Sequence, residues 1–360
     1  MKQHYDIGVM NGDDIGLEIV PETIRAMKAA VDKMDVTVNW LDMPIGRLAY
    51  DSLGTTMPAD TLDRLKNLDG WVLGPIGHRE YPKDDPKAIN PHPILRKHFE
   101  LHSNTRPARA LKGMPAIHPQ TDLVIIRENT EGFQPDRNVV AGSGEFRPTH
   151  DTTISVRVIT RKNSRAVALT AFELARQRRN KVTAVHKDTV FKLGCGMFAE
   201  ECRKVAKEYP DVEFNECIVD TFAMRVVMKP EDFDVVVTTN MFGDILSDLA
   251  AGLVGGLGLA PGLSSGDNHA MAQATHGSAP DISGQQIANP FAMIISGAML
   301  LEWMGLRHGD HRLLKAAELV RVSMFAVYEE DHVMTPDMGG DASTEIVGKA
   351  VAARIQAASA

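Results

Sequence analysis

The sequence predicts an α/β protein, and three observations predict it. Short β-branched apolar runs alternate with helical stretches along the whole chain. The clearest pair is Phe233-Asp234-Val235-Val236-Val237-Thr238-Thr239, which reads as a buried strand, followed by a helix opening near Met241. The glycine turns do not match the dinucleotide fingerprint. The first strand leads into Gly12-Asp13-Asp14-Ile15-Gly16, and Gly255-Gly256-Leu257-Gly258 also lacks the Gly-x-Gly-x-x-Gly spacing. The expectation is an α/β fold other than a standard Rossmann fold.

Met1-Lys2-Gln3-His4-Tyr5-Asp6 runs into the first strand without a signal-peptide core. Pro93-Ile94-Leu95-Arg96-Lys97-His98-Phe99 reads as helix and carries Arg96. Arg106 follows in Asn104-Thr105-Arg106-Pro107, and Arg127 ends a strand-then-loop element, Thr121 to Glu128. Glu216-Cys217-Ile218-Val219 is an apolar strand just before Asp220. No repeat or low-complexity linker marks a boundary, and 360 residues can bury a large core in two domains.

A net charge of −8 with no long Lys/Arg run argues against nucleic-acid binding, because a phosphate polyanion is repelled. No apolar stretch reaches the roughly 20 residues that span a bilayer. Cys195, Cys202 and Cys217 are odd in number and lack metal-ligand spacing, which points to buried thiols in a reducing compartment, the cytoplasm.

Chemistry concentrates in Asn240-Met241-Phe242-Gly243-Asp244-Ile245-Leu246-Ser247-Asp248. On a helix, Asp244 and Asp248 share a face, and two carboxylates so close repel unless a cation lies between them. Hard oxygen ligands suit Mg²⁺ or Mn²⁺ better than zinc. Their place beyond the carboxyl end of a buried strand is where open α/β sheets bind ligands. The planar donor forks of Arg96, Arg106 and Arg127 match carboxylates, so together they suit a small di- or tricarboxylic acid.

Eight ordered segments resemble those of the β-decarboxylating dehydrogenases, the family of isocitrate, isopropylmalate, homoisocitrate, D-malate and tartrate dehydrogenases. They are Asn11 to Glu18, with Asp14 where the family has glycine; the arginine segments Leu95-Arg96-Lys97, Thr105-Arg106-Pro107 and Arg127 to Gly132; His186 to Val190; Asn240 to Asp248; His276 to Asp281; and Thr335 to Gly340. The resemblance implies an isopropylmalate/isocitrate dehydrogenase-like two-domain fold with a large twisted mixed sheet. Residues 1–104 with 258–360 would form a discontinuous cofactor-binding domain, and 105–257 an inserted domain that makes a homodimer with shared active sites.

The resemblance also assigns roles. Lys187 and Asp220 are the catalytic pair, and Asp244 and Asp248 hold the divalent ion with Asp220 of the other subunit. Lysine can shuttle the proton of a 2-hydroxyl where neighbouring cations or desolvation depress its pKa. The loop His276-Gly277-Ser278-Ala279-Pro280-Asp281, with Asn289, would bind the adenosine of NAD. Asp281 would accept from the ribose hydroxyls and repel a 2′-phosphate. Asn90 and His92, just before Arg96, occupy positions that read the substituent on the substrate's third carbon. A polar pair favours an isocitrate-like acid over 3-isopropylmalate, since an alkyl group would leave donors unsatisfied. His78 and Tyr81 are further pocket candidates, whereas His98 and His102 read as surface histidines.

One departure stands out. Gln134 occupies the position of the family tyrosine that protonates the enol carbon, and an amide is no general acid near neutral pH. This leaves open a water-assisted reaction, a non-decarboxylating tartrate- or malate-type oxidation, or a non-catalytic partner subunit.

Overall fold

The computed structural model describes residues 2–133 and 144–358; Gln134 lies outside them. The strands are β1 (Tyr5–Met10), β2 (Val38–Asp42), β3 (Gly70–Leu73), β4 (Ser103–Arg109), β5 (Asp122–Glu128), β6 (Glu145–Thr149), β7 (Thr152–Ser155), β8 (Lys181–His186), β9 (Glu213–Ile218), β10 (Val235–Thr238), β11 (Leu263–Ser265) and β12 (Ala270–Ala272). Ten of them form one mixed sheet in the order β2-β1-β3-β12-β11-β4-β5-β10-β8-β9. Each outer block is parallel within itself, and the antiparallel pairs β12–β11, β11–β4 and β4–β5 join the two blocks. The expected mixed-sheet α/β architecture is therefore present. Strands from the two chain ends build one half, and β4, β5, β8, β9 and β10 build the other.

The elements expected around the site are present with small shifts. The strand before the acidic helix is Val235–Thr238, and the helix itself is Asn240–Val254. Arg96 lies on helix Pro91–His98. Val219 and Asp220 belong to helix Val219–Met228, because β9 already ends at Ile218. Helix Phe291–His308 is buried from Phe291 through Leu301, as expected of a helix covered on all sides. Among the described residues no helix is long and apolar enough to cross a membrane. All three cysteines are buried and free, in keeping with the reading of their spacing.

Two local features fix the acidic helix against the sheet. A Cβ on Gly243 would stand 2.6 Å from Cβ and Cγ of Arg127 and 3.1 Å from its Cα. Only glycine lets the helix lie so close that Arg127 reaches its first turns. Behind it, the loop after β5 folds around Glu128, whose Oε1 accepts from the Thr130 N–H and hydroxyl, both at 2.7 Å. Its Oε2 accepts from the Glu131 N–H at 2.9 Å and from Asn240 at 3.4 Å. Glu131 is buried and accepts from Thr160 N–H and hydroxyl, each at 2.8 Å, and from Asn163 at 3.1 Å. Burial, and then the neighbouring Glu128, push its carboxyl up to about 7 despite these donors.

Gly243→Ala should cost about 1–3 kcal/mol, as overpacking does in a tight contact. Urea denaturation measures this, and a variant as stable as the parent would show that the helix can lift away freely. Glu131 binds its proton more tightly folded than unfolded, so its contribution is complete below about pH 4.5 and lost as pH rises through about 7. Glu131→Gln should therefore flatten the fall of stability across that window, by at most about 1.4 kcal/mol per pH unit. Melting temperatures of both proteins from pH 5 to 8 should draw together toward acid pH and favour the variant toward alkaline pH. Parallel curves would contradict the assignment.

Candidate active site

The site begins as a polar stripe across three adjacent strands. Residues directly opposite one another share a face of a sheet, and Asn104 of β4 stands opposite Ser264 of β11 on one side and Arg127 of β5 on the other. Arg106, two residues along β4, points to the same face. Asn104 donates to the Ser264 hydroxyl at 3.2 Å, and Arg106 Nε donates to the Asn104 carbonyl at 2.5 Å. Thr105 and Pro107 face the other way, onto a cavity of about 390 Å³ that contains none of the candidate residues.

Helix Asn240–Val254 completes the cluster from above the carboxyl end of β10. Arg127 donates to Asn240 Oδ1 from Nη2 at 2.7 Å, and from Nη1 to Asp244. Arg106 Nη1 reaches Asp244 at 3.2 Å, Asp248 at 3.7 Å and the Ser247 hydroxyl at 2.7 Å. Both guanidiniums are buried, while the Asp244 and Asp248 side chains are 53% and 54% exposed. The cations between the two acids are thus arginines, which sequence reasoning had reserved for substrate. Burial pulls the Arg106 guanidinium below its usual value, and Asp244 and Asp248 oppose this. Burial also raises the Asp248 carboxyl against the pull of Arg106.

Lys187 follows β8 and donates to Asp220 Oδ1 at 2.6 Å, which holds the Asp220 carboxyl below its ordinary range. The neighbouring His186 is buried. Its Nδ1 accepts from the Asp188 N–H at 3.4 Å, leaving Nε2 to face Glu216 at 3.1 Å. Among the described residues no hydrogen bond or ion pair joins the Lys187–Asp220 pair to the Asp244–Asp248 cluster. No three His, Cys, Asp or Glu side chains of the described residues converge in a way that could hold a metal. Asp244 and Asp248 alone are a donor set of hard oxygens open to solvent. This fits Mg²⁺, which commonly takes one or two protein carboxylates and completes its shell from water and substrate.

The stretch from Asn90 to Arg96, expected to read the substrate's substituent, is more structured than its sequence suggested. Asn90 caps helix Pro91–His98, its side-chain oxygen accepting from the His92 N–H at 3.1 Å. Tyr81 is buried and donates to Asp13 at 2.5 Å; burial and that bond hold its pKa far above the ordinary value. Its hydroxyl braces the N-terminal turn, whereas His78 is exposed. His98 is exposed as expected, but His102 is not a surface residue. Its ring is 13% exposed and faces the Ser103 hydroxyl at 2.9 Å and Asp267 at 3.3 Å.

The adenosine-type loop is held from both chain ends. The Ile15 N–H donates to the Ser278 carbonyl at 3.1 Å, and Glu18 accepts from the Gly284 N–H at 2.5 Å. Asp14 lies in the same turn at φ 49°, a left-handed conformation that glycine adopts freely and aspartate tolerates. Asn289 donates to Asp337 at 2.9 Å and accepts from Tyr328 at 2.8 Å, so its side chain ties the C-terminal signature to the loop. The Asp281 side chain is exposed, and Gln285 bonds only its backbone carbonyl, at 2.8 Å.

His276 donates from Nδ1 to the Gly277 carbonyl at 3.0 Å, and burial holds its pKa down. Its buried Nε2 is then an acceptor with no partner among the described residues. An amino or hydroxyl donor of a bound nucleoside would satisfy it, so the loop fits an adenosine.

Comparison with known proteins agrees with this geometry. The family model described as isocitrate/isopropylmalate dehydrogenase matches residues 6–351. The chain is 39% identical over 343 residues to a 3-isopropylmalate dehydrogenase of Archaeoglobus fulgidus, covering 94% of this chain and 95% of that protein. It is 38% identical over 348 residues to an isocitrate/homoisocitrate dehydrogenase of Thermus thermophilus, covering 96% and 97%. Its fold superposes on the crystal structure of isocitrate dehydrogenase from Methylococcus capsulatus with a TM-score of 0.85 at 38% identity, covering 98% and 99% of the two chains. With these matches end to end, the chain belongs to the isocitrate/isopropylmalate dehydrogenase family of oxidoreductases.

Proposed function

We propose that this dehydrogenase oxidises and decarboxylates a 2-hydroxy di- or tricarboxylic acid in the cytoplasm, using NAD⁺ and Mg²⁺ or Mn²⁺. An isocitrate-like acid is the preferred substrate over 3-isopropylmalate. The observation that carries the reading is the cluster of Arg106, Arg127, Asp244 and Asp248, two buried cations and two open carboxylates on one face of the sheet. The curated relatives include enzymes named for each of the competing acids, so their names do not choose among them.

The ion, when bound, supplies Lewis-acid polarisation of the 2-hydroxyl and the adjacent carboxylate. Asp244 and Asp248 would hold it, joined by Asp220 of the partner subunit. Arg96, Arg106 and Arg127 bind the substrate carboxylates. Because Arg106 and Arg127 both donate to Asp244, a substrate that draws them away would free Asp244 to hold the ion. Lys187, held by Asp220, would take the proton of the 2-hydroxyl, and NAD⁺, when bound, would supply the hydride acceptor. With Gln134 in place of the family tyrosine, water or Lys187 returns a proton to the carbon that loses CO₂.

A homodimer is supported by the surface around these acids. Helix Val219–Met228 exposes Met224, Val227 and Met228 on the stripe that begins at Asp220, and helix Asn240–Val254 exposes Met241 and Ile245 beside Asp244. The β6–β7 hairpin is exposed along its whole length, and an isolated two-stranded hairpin is marginal in water. A second copy covering these faces would complete each site across the interface. In this reading residues 1–104 with 258–360 form the cofactor-binding domain, and residues 105–257 form the inserted domain.

The purified chain with Mn²⁺ and NAD⁺ should form NADH and an equal amount of CO₂ from one acid among isocitrate, homoisocitrate, 3-isopropylmalate, D-malate and tartrate, with isocitrate or homoisocitrate ahead of 3-isopropylmalate. NADH without CO₂ would establish a non-decarboxylating oxidation instead, and silence across the panel would favour a partner-subunit role. Asp281→Lys should lower kcat/KM for NAD⁺ at least tenfold and improve use of NADP⁺. An unchanged cofactor preference would remove Asp281 from the assignment.

A further inference from the structure

Gln273 follows β12 directly, is 7% exposed, and was not singled out by the sequence. Its amide lies among three partners, two on one helix and one directly after β3. Arg96 Nη2 donates to its Oε1 at 3.4 Å, its Nε2 donates to the Gly74 carbonyl at 3.4 Å, and the same Nε2 meets His92 Nε2 at 2.5 Å. His92 and Arg96 stand four residues apart on helix Pro91–His98, so one face of that helix presents both to the amide.

The orientation of this amide follows from chemistry. A guanidinium can only donate and a carbonyl can only accept. Oε1 therefore belongs on the Arg96 side and Nε2 on the Gly74 side, since the reversed amide would set two donors together and two acceptors together. The amide nitrogen then faces His92, and the facing ring nitrogen must accept. A histidine whose Nε2 accepts carries its hydrogen on Nδ1.

We propose that Gln273 is a specificity-determining positioning residue, which fixes His92 in the Nδ1–H tautomer and couples that ring to Arg96. The inference rests on the reading of Asn90 to Arg96 as the stretch facing the substrate's third-carbon substituent. Asn90 spends its side-chain oxygen on the helix cap, so His92 is the polar reader of the pair whose character can be set from outside the helix. With the hydrogen fixed on Nδ1 the ring keeps one polarity in place of two, and a polar wall of fixed character suits an oxygen-bearing substituent and disfavours an alkyl one.

The test separates this inference from the assigned activity. Long-range ¹H–¹⁵N spectra of histidine-labelled full-length protein without substrate, with His92 assigned through His92→Asn, should show Nδ1 protonated and Nε2 bare. Gln273→Glu replaces the amide donor with an acceptor and should move a proton onto Nε2. Gln273→Met, of equal length without polar atoms, should leave a mixture of tautomers. Steady-state kinetics of Gln273→Glu should show KM for the preferred acid raised about tenfold with kcat within about threefold, the pattern of lost binding without lost chemistry. A parent ring protonated on Nε2, or one indifferent to both substitutions, would overturn the tautomer lock. A switched tautomer with unchanged KM would overturn the specificity role. If the parent turns over none of the acids, the functional reading fails, while the spectra still decide the tautomer.

Discussion

The site depends on two buried guanidiniums on the face of a sheet. Arg106 and Arg127 emerge from neighbouring strands into a region too dry to leave them unpaired. Asp244, reached by both, and Asp248, reached by Arg106, come from the one helix that approaches closely enough. That approach is possible because Gly243 has no side chain to meet Arg127. Removing one member of such a group strands the others, which is more costly than losing the whole group. A substrate carboxylate or a cation entering here would exchange partners within an existing charge network, which would link the binding of an anion to that of a cation.

The second assembly is built differently. The adenosine-type loop contains few charges of its own and is shaped by distant segments. Ile15 and Glu18 hold its two ends, and Asn289 ties the following stretch to Asp337 and Tyr328. This explains why three motifs far apart in the chain, the N-terminal turn, the loop and the Thr335 to Gly340 segment, belong to one piece of structure. Nε2 of His276 and Oε2 of Glu18 are buried without a partner among the described residues, and the Asp281 side chain is exposed.

The sequence made the strand–helix alternation legible, and with it the placement of Arg127, Lys187 and the acidic helix at strand ends. Period and composition report such local facts directly. It did not make the partners of those residues legible, because partners are set by sheet order. Nothing in the string places Ser264 beside Asn104, or Gln273 against a helix nearly two hundred residues earlier. The same limit explains the misread residues. His102 looks polar and exposed until Asp267 and Ser103 arrive beside it, and Tyr81 looks available until Asp13 takes its hydroxyl. Asn90 was legible as polar, but its position ahead of Pro91 marks it more simply as a helix cap.

The same geometry bears on why oxidation would require two copies of the chain. Asp220 begins a helix whose next exposed turns are Met224, Val227 and Met228, and Asp244 shares a helix with exposed Met241 and Ile245. Covering apolar groups of that size would remove their area from water and drive association. A surface that covers them must come up to the acids on the same helices. Pairing through these faces would thus join acids that remain in separate clusters within one protomer. Catalytic competence and assembly would then have a common cause, namely that the helices carrying the carboxylates also carry the adhesive surface.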